Sequence, residues 1–244
     1  MKTTPKTSFP QVTIVTPTSR SRLRFINLLV SNVGGQTYPH ECLEWLVVGD
    51  DKKYTEETYM QVFRDCETIS GIRCRYVACD IKGDIGKKRN FASNLSHSKI
   101  LAFMDDDDIY HPGYVQYSVT EMRNRKVNLV GCRDMLVYYP LEGGSMRYIK
   151  GCHVHEGSIV CRKSHWKFNK FTEMTNRGEG ASLLNGSCFN EMDIKKVMIC
   201  VAHDDNTFDK SNFLKLPSVD LRIEERQRLM EICEIFNSNS KSKE

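Results

Sequence analysis

Apolar and polar positions follow two different rhythms along the first half of the chain. Short apolar runs rich in β-branched residues are separated by longer stretches with an apolar residue every three or four positions. The short runs predict strands over residues 11–17, 43–51, 72–79 and 99–104. The longer stretches predict helices over residues 22–36, 55–70 and 83–96, and Asp84 is the expected N-cap of the third helix.

The second half is less regular. Strands are predicted over residues 127–140 and 155–166, on either side of a turn region at 141–151, and again over 196–203. Residues 177–189 predict a loop that leads into a short helix. We expect an amphipathic helix over 218–236 that packs on the core, and a disordered polar tail over 237–244. No repeat or linker divides the chain, so residues 1–217 are predicted to form one domain.

Alternating strands and helices predict an α/β fold, a Rossmann-like three-layer sandwich around a mostly parallel central sheet. Ligands of such sheets bind beyond the carboxyl ends of the strands. Three polar segments directly follow predicted strands, namely Thr16 to Thr18, Asp50 with Asp51, and Asp105 to Asp108. We therefore expect these segments to lie together at one edge.

Composition narrows the class of protein. The chain has 244 residues, of which 40% are hydrophobic and 27% charged, and its net charge of +4 is too small to indicate a nucleic-acid partner. Its ten cysteines include no Cys-x-x-Cys pair, which favours buried thiols in a reducing compartment. A zinc cluster of Cys152, His153, His155 and Cys161 remains open, although this spacing matches no common zinc site.

The amino terminus has no apolar core of a secretory signal, and no run of about 18 apolar residues is present. We therefore expect a soluble, cytoplasmic protein without a transmembrane segment.

The run "DDDD" at Asp105–Asp108 needs an explanation, because two carboxylates about 4 Å apart repel by about 1 kcal/mol even in water. The run lacks the glycine and glutamate of an EF-hand loop and the threonine of an aspartyl-phosphate motif. A solvated turn is one alternative, and Asp108 as the N-cap of a following helix is another. A hard divalent cation that also holds phosphate oxygens explains all four carboxylates.

The segment "GKKRN" at residues 86–90 places three cations at the start of a predicted helix, where they oppose the helix dipole. A solvated basic face is the simpler interpretation. A bound anion would reverse the penalty, since backbone N–H groups and cations would converge on it. The spacing is not that of a Walker A loop, and beside a cation site a diphosphate is the natural guest.

Four segments together, "VTIVTPTSRSRL", "LVVGDD", "GKKRNFA" and "ILAFMDDDDIYHP", resemble the nucleotide-sugar half of family 2 glycosyltransferases with the GT-A fold. The resemblance covers about residues 11–115 and continues more loosely through an acceptor half over 116–217. It implies that donor-nucleotide contacts come from a set spread over three strand ends and one helix: Thr16, Pro17, Thr18, Asp50, Asp51, Lys88, Arg89, Asp105 and Asp106. It further implies that Asp107, Asp108 and His203 hold Mn²⁺ or Mg²⁺.

The resemblance is weaker for the chemistry itself. Family members usually carry an acidic pair after the acceptor strand, but here the stretch is "GEGAS", with Gly180 in place of the second acid. Glu179 is then the implied catalytic base, with a dipole-stabilised loop carboxylate as the alternative. His155, Glu156 and Trp166 are candidates to contact the acceptor, although Trp166 is equally a core residue.

The residues and the resemblance together predict a metal-dependent glycosyltransferase that moves a sugar from a nucleoside-diphosphate sugar to a hydroxyl of a glycan or other acceptor. The resemblance alone implies that the donor is a UDP-sugar and that transfer is a single inverting displacement. Two alternatives stay open. A sugar nucleotidyltransferase usually has a glycine-rich loop after its first strand, and "TPTSRSRLR" contains no glycine. A non-catalytic nucleotide-sugar-binding domain would explain Gly180.

Overall fold

The computed structural model of the protein describes residues 9–50, 54–81, 84–151, 153–173, 175, 178–184, 189–219 and 229. Its strands are β1 Val12–Pro17, β2 Leu43–Gly49, β3 Arg73–Ala78, β4 Ile100–Phe103, β5 Ile109–Tyr110, β6 Leu129–Gly131, β7 Met135–Tyr139, β8 Ser145–Ile149, β9 Val160–Arg162, β10 Phe189–Glu191 and β11 Met198–Val201. Its α-helices are α1 Ile26–Gly34, α2 Tyr54–Ser70, α3 Ile85–Leu95, α4 Tyr114–Asn124 and α5 Lys163–Phe168.

The central sheet has seven strands in the order β10-β6-β9-β4-β1-β2-β3. All neighbours pair in parallel except β9, which runs antiparallel to β4 and β6. The predicted α/β fold with a mostly parallel central sheet is therefore confirmed. A second sheet, in the order β5-β11-β7-β8, was not predicted as a separate sheet.

Two hydrophobic cores lie on opposite faces of the central sheet, because successive strand residues point to opposite sides. Ile14 and Trp45 belong to the core that includes α1, α2 and α4. Val15 and Leu46 belong to the core that includes α3 and α5. Strands buried on both faces read as continuous apolar runs, which is why the sequence revealed them.

Two local predictions were wrong around the acidic run and the carboxyl terminus. Asp108 is not a helix cap: β5 intervenes and pairs with β11, and α4 begins at Tyr114 after the N-cap Gly113. The helix predicted from residue 218 does not begin there, because Ser218 forms an antiparallel bridge with Arg147. Apart from Ser218, Val219 and the buried Leu229, that predicted helix and the tail lie outside the described residues.

The N-cap of α3 is confirmed. The Asp84 side chain accepts a hydrogen bond from the backbone N–H of Lys87, at 3.0 Å. This cap fixes the start of α3 beside the strand ends, so that Lys88 and Arg89 project from the first two turns of the helix.

Candidate functional site

Lys88 joins the carboxyl ends of β1 and β2. Its Nζ donates to the backbone oxygen of Thr18 at 2.8 Å and to Oδ2 of Asp50 at 3.2 Å. The lysine is only 5% exposed, so the simpler interpretation of "GKKRN" as a solvated face fails at this position. A buried ammonium held at two strand ends is a preformed positive site for an anion or a polar base edge.

The other residues of the β1 end contribute mainly their backbone. Thr16 and Pro17 pair with Val47 and Val48 in β2. The Thr16 hydroxyl accepts a hydrogen bond from the indole Nε1 of Trp45 at 3.1 Å, so its side chain is engaged in the core. Asp51 lies outside the described residues.

The four aspartates of the acidic run separate, and each carboxylate has a different partner. Arg89 donates to Asp105, and Thr18 Oγ1 donates to Asp106 at 2.7 Å. Asp107 contacts His203 and Arg22, whereas Asp108 accepts from the backbone N–H of Val201 at 2.9 Å. Cations and hydrogen-bond donors of the protein itself therefore offset part of the repulsion among the four carboxylates.

The charges of Asp106 and Asp107 affect each other. Burial and the negative charge of Asp107 raise the pKa of Asp106 to about 7. Burial acts in the same direction on Asp107, but the His203 hydrogen bond and the Arg22 charge outweigh it and hold the pKa of Asp107 well below its usual range. At neutral pH, Asp107 therefore carries the charge that a cation would meet.

His203 presents a neutral imidazole to Asp107. Its Nδ1 accepts from the backbone N–H of Asp205 at 3.1 Å, which assigns the proton to Nε2, 2.8 Å from Asp107 Oδ2. Burial lowers the pKa of His203, so the ring is uncharged near neutral pH. If the proton of the neutral ring moved to Nδ1, which would then give up the hydrogen bond from Asp205, Nε2 would be open to ligate a metal ion.

The donor set around Arg22 fits a divalent cation. Its Nη1 touches Asp107 and lies 3.7 Å from Asp106 Oδ1 and 3.5 Å from His203 Nε2. A positive centre thus already occupies a position among two carboxylates and an imidazole, a set that suits Mn²⁺. The sequence analysis missed Arg22, although "TPTSRSRL" places it just beyond the end of β1.

Asp108 points away from Asp107, so the predicted trio of Asp107, Asp108 and His203 is not assembled as one group. Its carboxylate instead approaches His155 and Cys200, and the potential ligand atoms of these three residues lie within 4.8 Å of one another. Such a group can hold a metal ion. His155 contacts Cys200 at 3.2 Å, and Cys161 is buried in β9.

The zinc cluster left open by the sequence is not assembled in the described part of the chain, where His155 is grouped with Asp108 and Cys200 instead. Cys152 lies outside the described residues.

Two glutamates meet beside Asp105. Arg89 donates through one terminal nitrogen to Asp105 and through the other to Glu179, and the arginine is 2% exposed. Glu156 accepts from the backbone N–H of Gly180 at 3.0 Å. Burial, followed by the charge of Glu179, raises the pKa of Glu156. The arrangement places two acids and a shared guanidinium at the junction of the two halves of the fold.

Trp166 does not face this site. It is 2% exposed, and its Nε1 donates to Oδ1 of Asn90 at 3.0 Å, inside the core beneath α3. Of the three predicted acceptor contacts, only His155 and Glu156 lie near the acidic run.

Within the described residues, no helix combines the length and apolar character that a membrane crossing needs.

Solved structures with a similar fold include S. aureus TarS and the mannosyltransferase PcManGT. Residues 1–349 of S. aureus TarS in complex with UDP-GlcNAc superpose with a TM-score of 0.62 at 12% identity, covering 91% of this chain and 65% of that one. The mannosyltransferase PcManGT from Pyrobaculum calidifontis, in complex with GDP-Man and Mn²⁺, gives a TM-score of 0.60 at 17% identity, covering 85% and 59%. At these identities the likeness shows the fold, and this chain spans less than two thirds of either protein.

No curated protein matches the sequence significantly. The family model described as "Glycosyl transferase family 2" matches residues 13–191, which include nearly all of β1, the strands β2 to β4, the acidic run, both glutamates and Arg89. Fold, motif order and family match agree, and the chain belongs to glycosyl transferase family 2.

Proposed function

We propose that this protein transfers a sugar from a nucleoside-diphosphate sugar, most favourably a UDP-sugar, to an acceptor hydroxyl. The observation that carries the proposal is the meeting of buried cations and the acidic run at one sheet edge. Lys88 and Arg89 enter from the start of α3, and Asp105 to Asp107 enter from the end of β4. Cations and carboxylates are both needed where a cation bridges a diphosphate.

The donor nucleotide would lie across the ends of β1, β2 and β4. Backbone groups of Thr16 to Thr18 and the Asp50 carboxylate would contact the base, and Asp51 is proposed to share that role. Lys88 would neutralise phosphate or bind the ribose, with Asp105 and Asp106 on the ribose side. Similar folds hold UDP-GlcNAc in TarS and GDP-Man in PcManGT, which supports a nucleotide-sugar donor without choosing the base.

The cation would be Mn²⁺ or Mg²⁺, with Asp107 and His203 as its ligands. Asp108 would stabilise the loop that carries Asp107. When bound, it would supply Lewis-acid neutralisation of the diphosphate. Arg22 would release Asp107 and add positive charge on the phosphate side. Departure of the nucleoside diphosphate would then be assisted by fixed cations in a largely buried site.

The acceptor hydroxyl would approach from the side of His155 and Glu156. A carboxylate of the Glu156–Glu179 pair would take its proton as the oxygen attacks the anomeric carbon opposite the leaving group. The sequence predicted Glu179 for this role. One such displacement inverts the anomeric configuration.

A thermal-shift panel tests the proposal. UDP, UDP-GlcNAc, UDP-glucose, UDP-galactose, GDP and GDP-mannose would each be added with and without Mn²⁺ or Mg²⁺, to the wild type and to Asp107→Asn. We expect a metal-dependent shift with one nucleotide family that Asp107→Asn removes. Asp65→Asn, an exposed change on α2, is the matched control and should keep the shift.

Nucleoside diphosphate release separates turnover from binding alone. A protein that binds the donor but releases no diphosphate would be a non-catalytic binding domain. Release of pyrophosphate from a sugar phosphate and UTP would instead identify a nucleotidyltransferase.

A further inference from the structure

Glu179 is the more enclosed member of the acid pair. It is 3% exposed, its Oε1 accepts from Arg89, and its backbone oxygen accepts from the N–H of Thr172 at 2.9 Å. Arg89 in turn holds Asp105 through its second terminal nitrogen. An acceptor hydroxyl at Glu179 Oε1 would have to share that oxygen with this guanidinium. The contacts of Glu179 are those of a residue that positions Arg89 and, through it, Asp105.

Glu156 is the more open member. It keeps partial solvent exposure, and its described hydrogen bond is a single one, from the N–H of Gly180 to Oε1. Among the described residues, no lysine or arginine nitrogen forms an ion pair with it within 4.0 Å, although Arg89, His155 and Glu179 all act on it electrostatically. A carboxylate with an open oxygen is a better proton acceptor than one held in an ion pair.

Two glycines fit the chain closely around Glu156. A Cβ at Gly180 would lie 3.0 Å from Glu156 Cγ and 3.2 Å from its Oε1, so the glutamate fills the space that a side chain at 180 would need. A Cβ at Gly157 would lie 2.7 Å from Oδ2 of Asp105. Gly157 therefore holds the Glu156 segment directly against the acidic run, where the donor is proposed to bind.

On the basis of the transfer reaction proposed above, we infer that Glu156 is the general base and that Glu179 is a positioning residue. The Glu156 carboxylate takes the proton as the O–H bond of the acceptor breaks. The oxygen lone pair forms the new bond to the anomeric carbon. The bond from that carbon to the diphosphate oxygen breaks, and its electron pair leaves with the nucleoside diphosphate.

Two nucleophiles distinguish these roles. Water must lose a proton when it attacks the sugar, whereas azide carries none and needs no base. Diphosphate release from whichever of UDP-GlcNAc, UDP-glucose, UDP-galactose or GDP-mannose the wild type accepts would be measured with each nucleophile. The variants are Glu156→Gln, Glu179→Gln and Gly180→Ala, with Glu142→Gln in the exposed β7–β8 turn as the control.

We expect Glu156→Gln to slow release with water by about 10²- to 10⁴-fold, while release with azide stays within about threefold of the wild type. Gly180→Ala should give a smaller defect of the same kind, and should add nothing in the Glu156→Gln background. Glu179→Gln should slow both nucleophiles alike, because it disturbs Arg89 and Asp105. Glu142→Gln should change neither rate.

The inference is overturned if Glu156→Gln keeps the wild-type rate with water, or if the azide-sparing defect belongs to Glu179→Gln. A wild type that neither binds nor cleaves any of the four donors would overturn the proposed function itself. A misassigned base would instead leave the wild type active and change only which variant shows the defect.

Discussion

Arg89 ties the two halves of the fold together, and removing it has a predictable cost. Its guanidinium lies between Asp105, at the end of β4, and Glu179, in the 3₁₀ helix Glu179–Leu184. Arg89→Ala leaves both carboxylates without this partner. The two carboxylates differ in solvent exposure: the Glu179 side chain is 4% exposed and the Asp105 side chain is 22% exposed.

The magnitude follows from that difference. A buried carboxylate that loses its partner costs about 3 to 5 kcal/mol, and Glu179 is in this class. Asp105 has access to water, so its contribution is well below that range. Loss of the guanidinium from over the Phe171 ring, 5.5 Å from its centroid, adds about 0.5 to 1 kcal/mol. We expect Arg89→Ala to lower the free energy of unfolding by about 4 kcal/mol.

Urea denaturation followed by circular dichroism measures this change. Arg125→Ala is the matched control, because Arg125 is 60% exposed and pairs with Glu121 one helical turn away. That pair is worth about 0.3 to 0.5 kcal/mol. Adding Glu179→Gln to Arg89→Ala removes the unpaired buried charge, so the double variant should be more stable than Arg89→Ala alone.

Two results would refute this reasoning. One is an Arg89→Ala protein within about 1 kcal/mol of the wild type, the range of an exposed pair. The other is a double variant no more stable than the single one, which would show that the buried charge of Glu179 is not the cause.

Three further predictions follow from other contacts. Gly86→Ala should destabilise the protein by about 1 to 3 kcal/mol or more, because its Cβ would lie 2.1 Å from the backbone oxygen of Thr172. Gly34→Ala is the control in the same denaturation assay: its Cβ would have no atom within 4 Å, so it should be neutral or slightly stabilising. Tyr110→Phe should destabilise by about 1 to 3 kcal/mol through loss of the buried hydroxyl that accepts from Asp105 N–H and donates to Gly157, whereas Tyr117→Phe, partly exposed, should change the midpoint little. The pKa of Asp106 is raised to about 7, so the folded state keeps a proton that the unfolded chain loses above about pH 4. With metal chelated, this group's contribution to stability therefore falls between about pH 4 and 7. Asp106→Asn should remove that part of the pH dependence, and an identical stability profile in the two proteins would contradict it.

The parts of the fold that the sequence predicted are those set by local pattern. β1 to β4 and the helices between them follow from apolar runs and helical periodicity, and the Asp84 cap follows from its position before α3. β5 and β10 have two and three residues, too short to leave a periodic signal. The antiparallel position of β9 between β4 and β6 depends on long-range pairing, which no local pattern contains.

The site divides in the same way. Strand ends brought Thr18, Asp50 and the acidic run to one edge, as topology requires. The sequence did not show that Arg22 would meet Asp107, 85 positions away, or that Glu156 would fill the space beside Gly180. Each of these contacts joins loops whose relative placement is set by the packed core. Motif order therefore indicated which residues matter, and only the fold showed which of them touch.

The most direct test of the account is the melting temperature of the wild type and Asp107→Asn with UDP and with GDP, each in the presence and absence of Mn²⁺. A ligand at about 100 times its Kd stabilises the folded state by about 2.7 kcal/mol. For a chain of this size that is a shift of about 5 to 10 °C. The account predicts such a shift in the wild type with one nucleotide, only with metal, and none in Asp107→Asn. Equal shifts in the two proteins, or none in the wild type with either nucleotide, would contradict it.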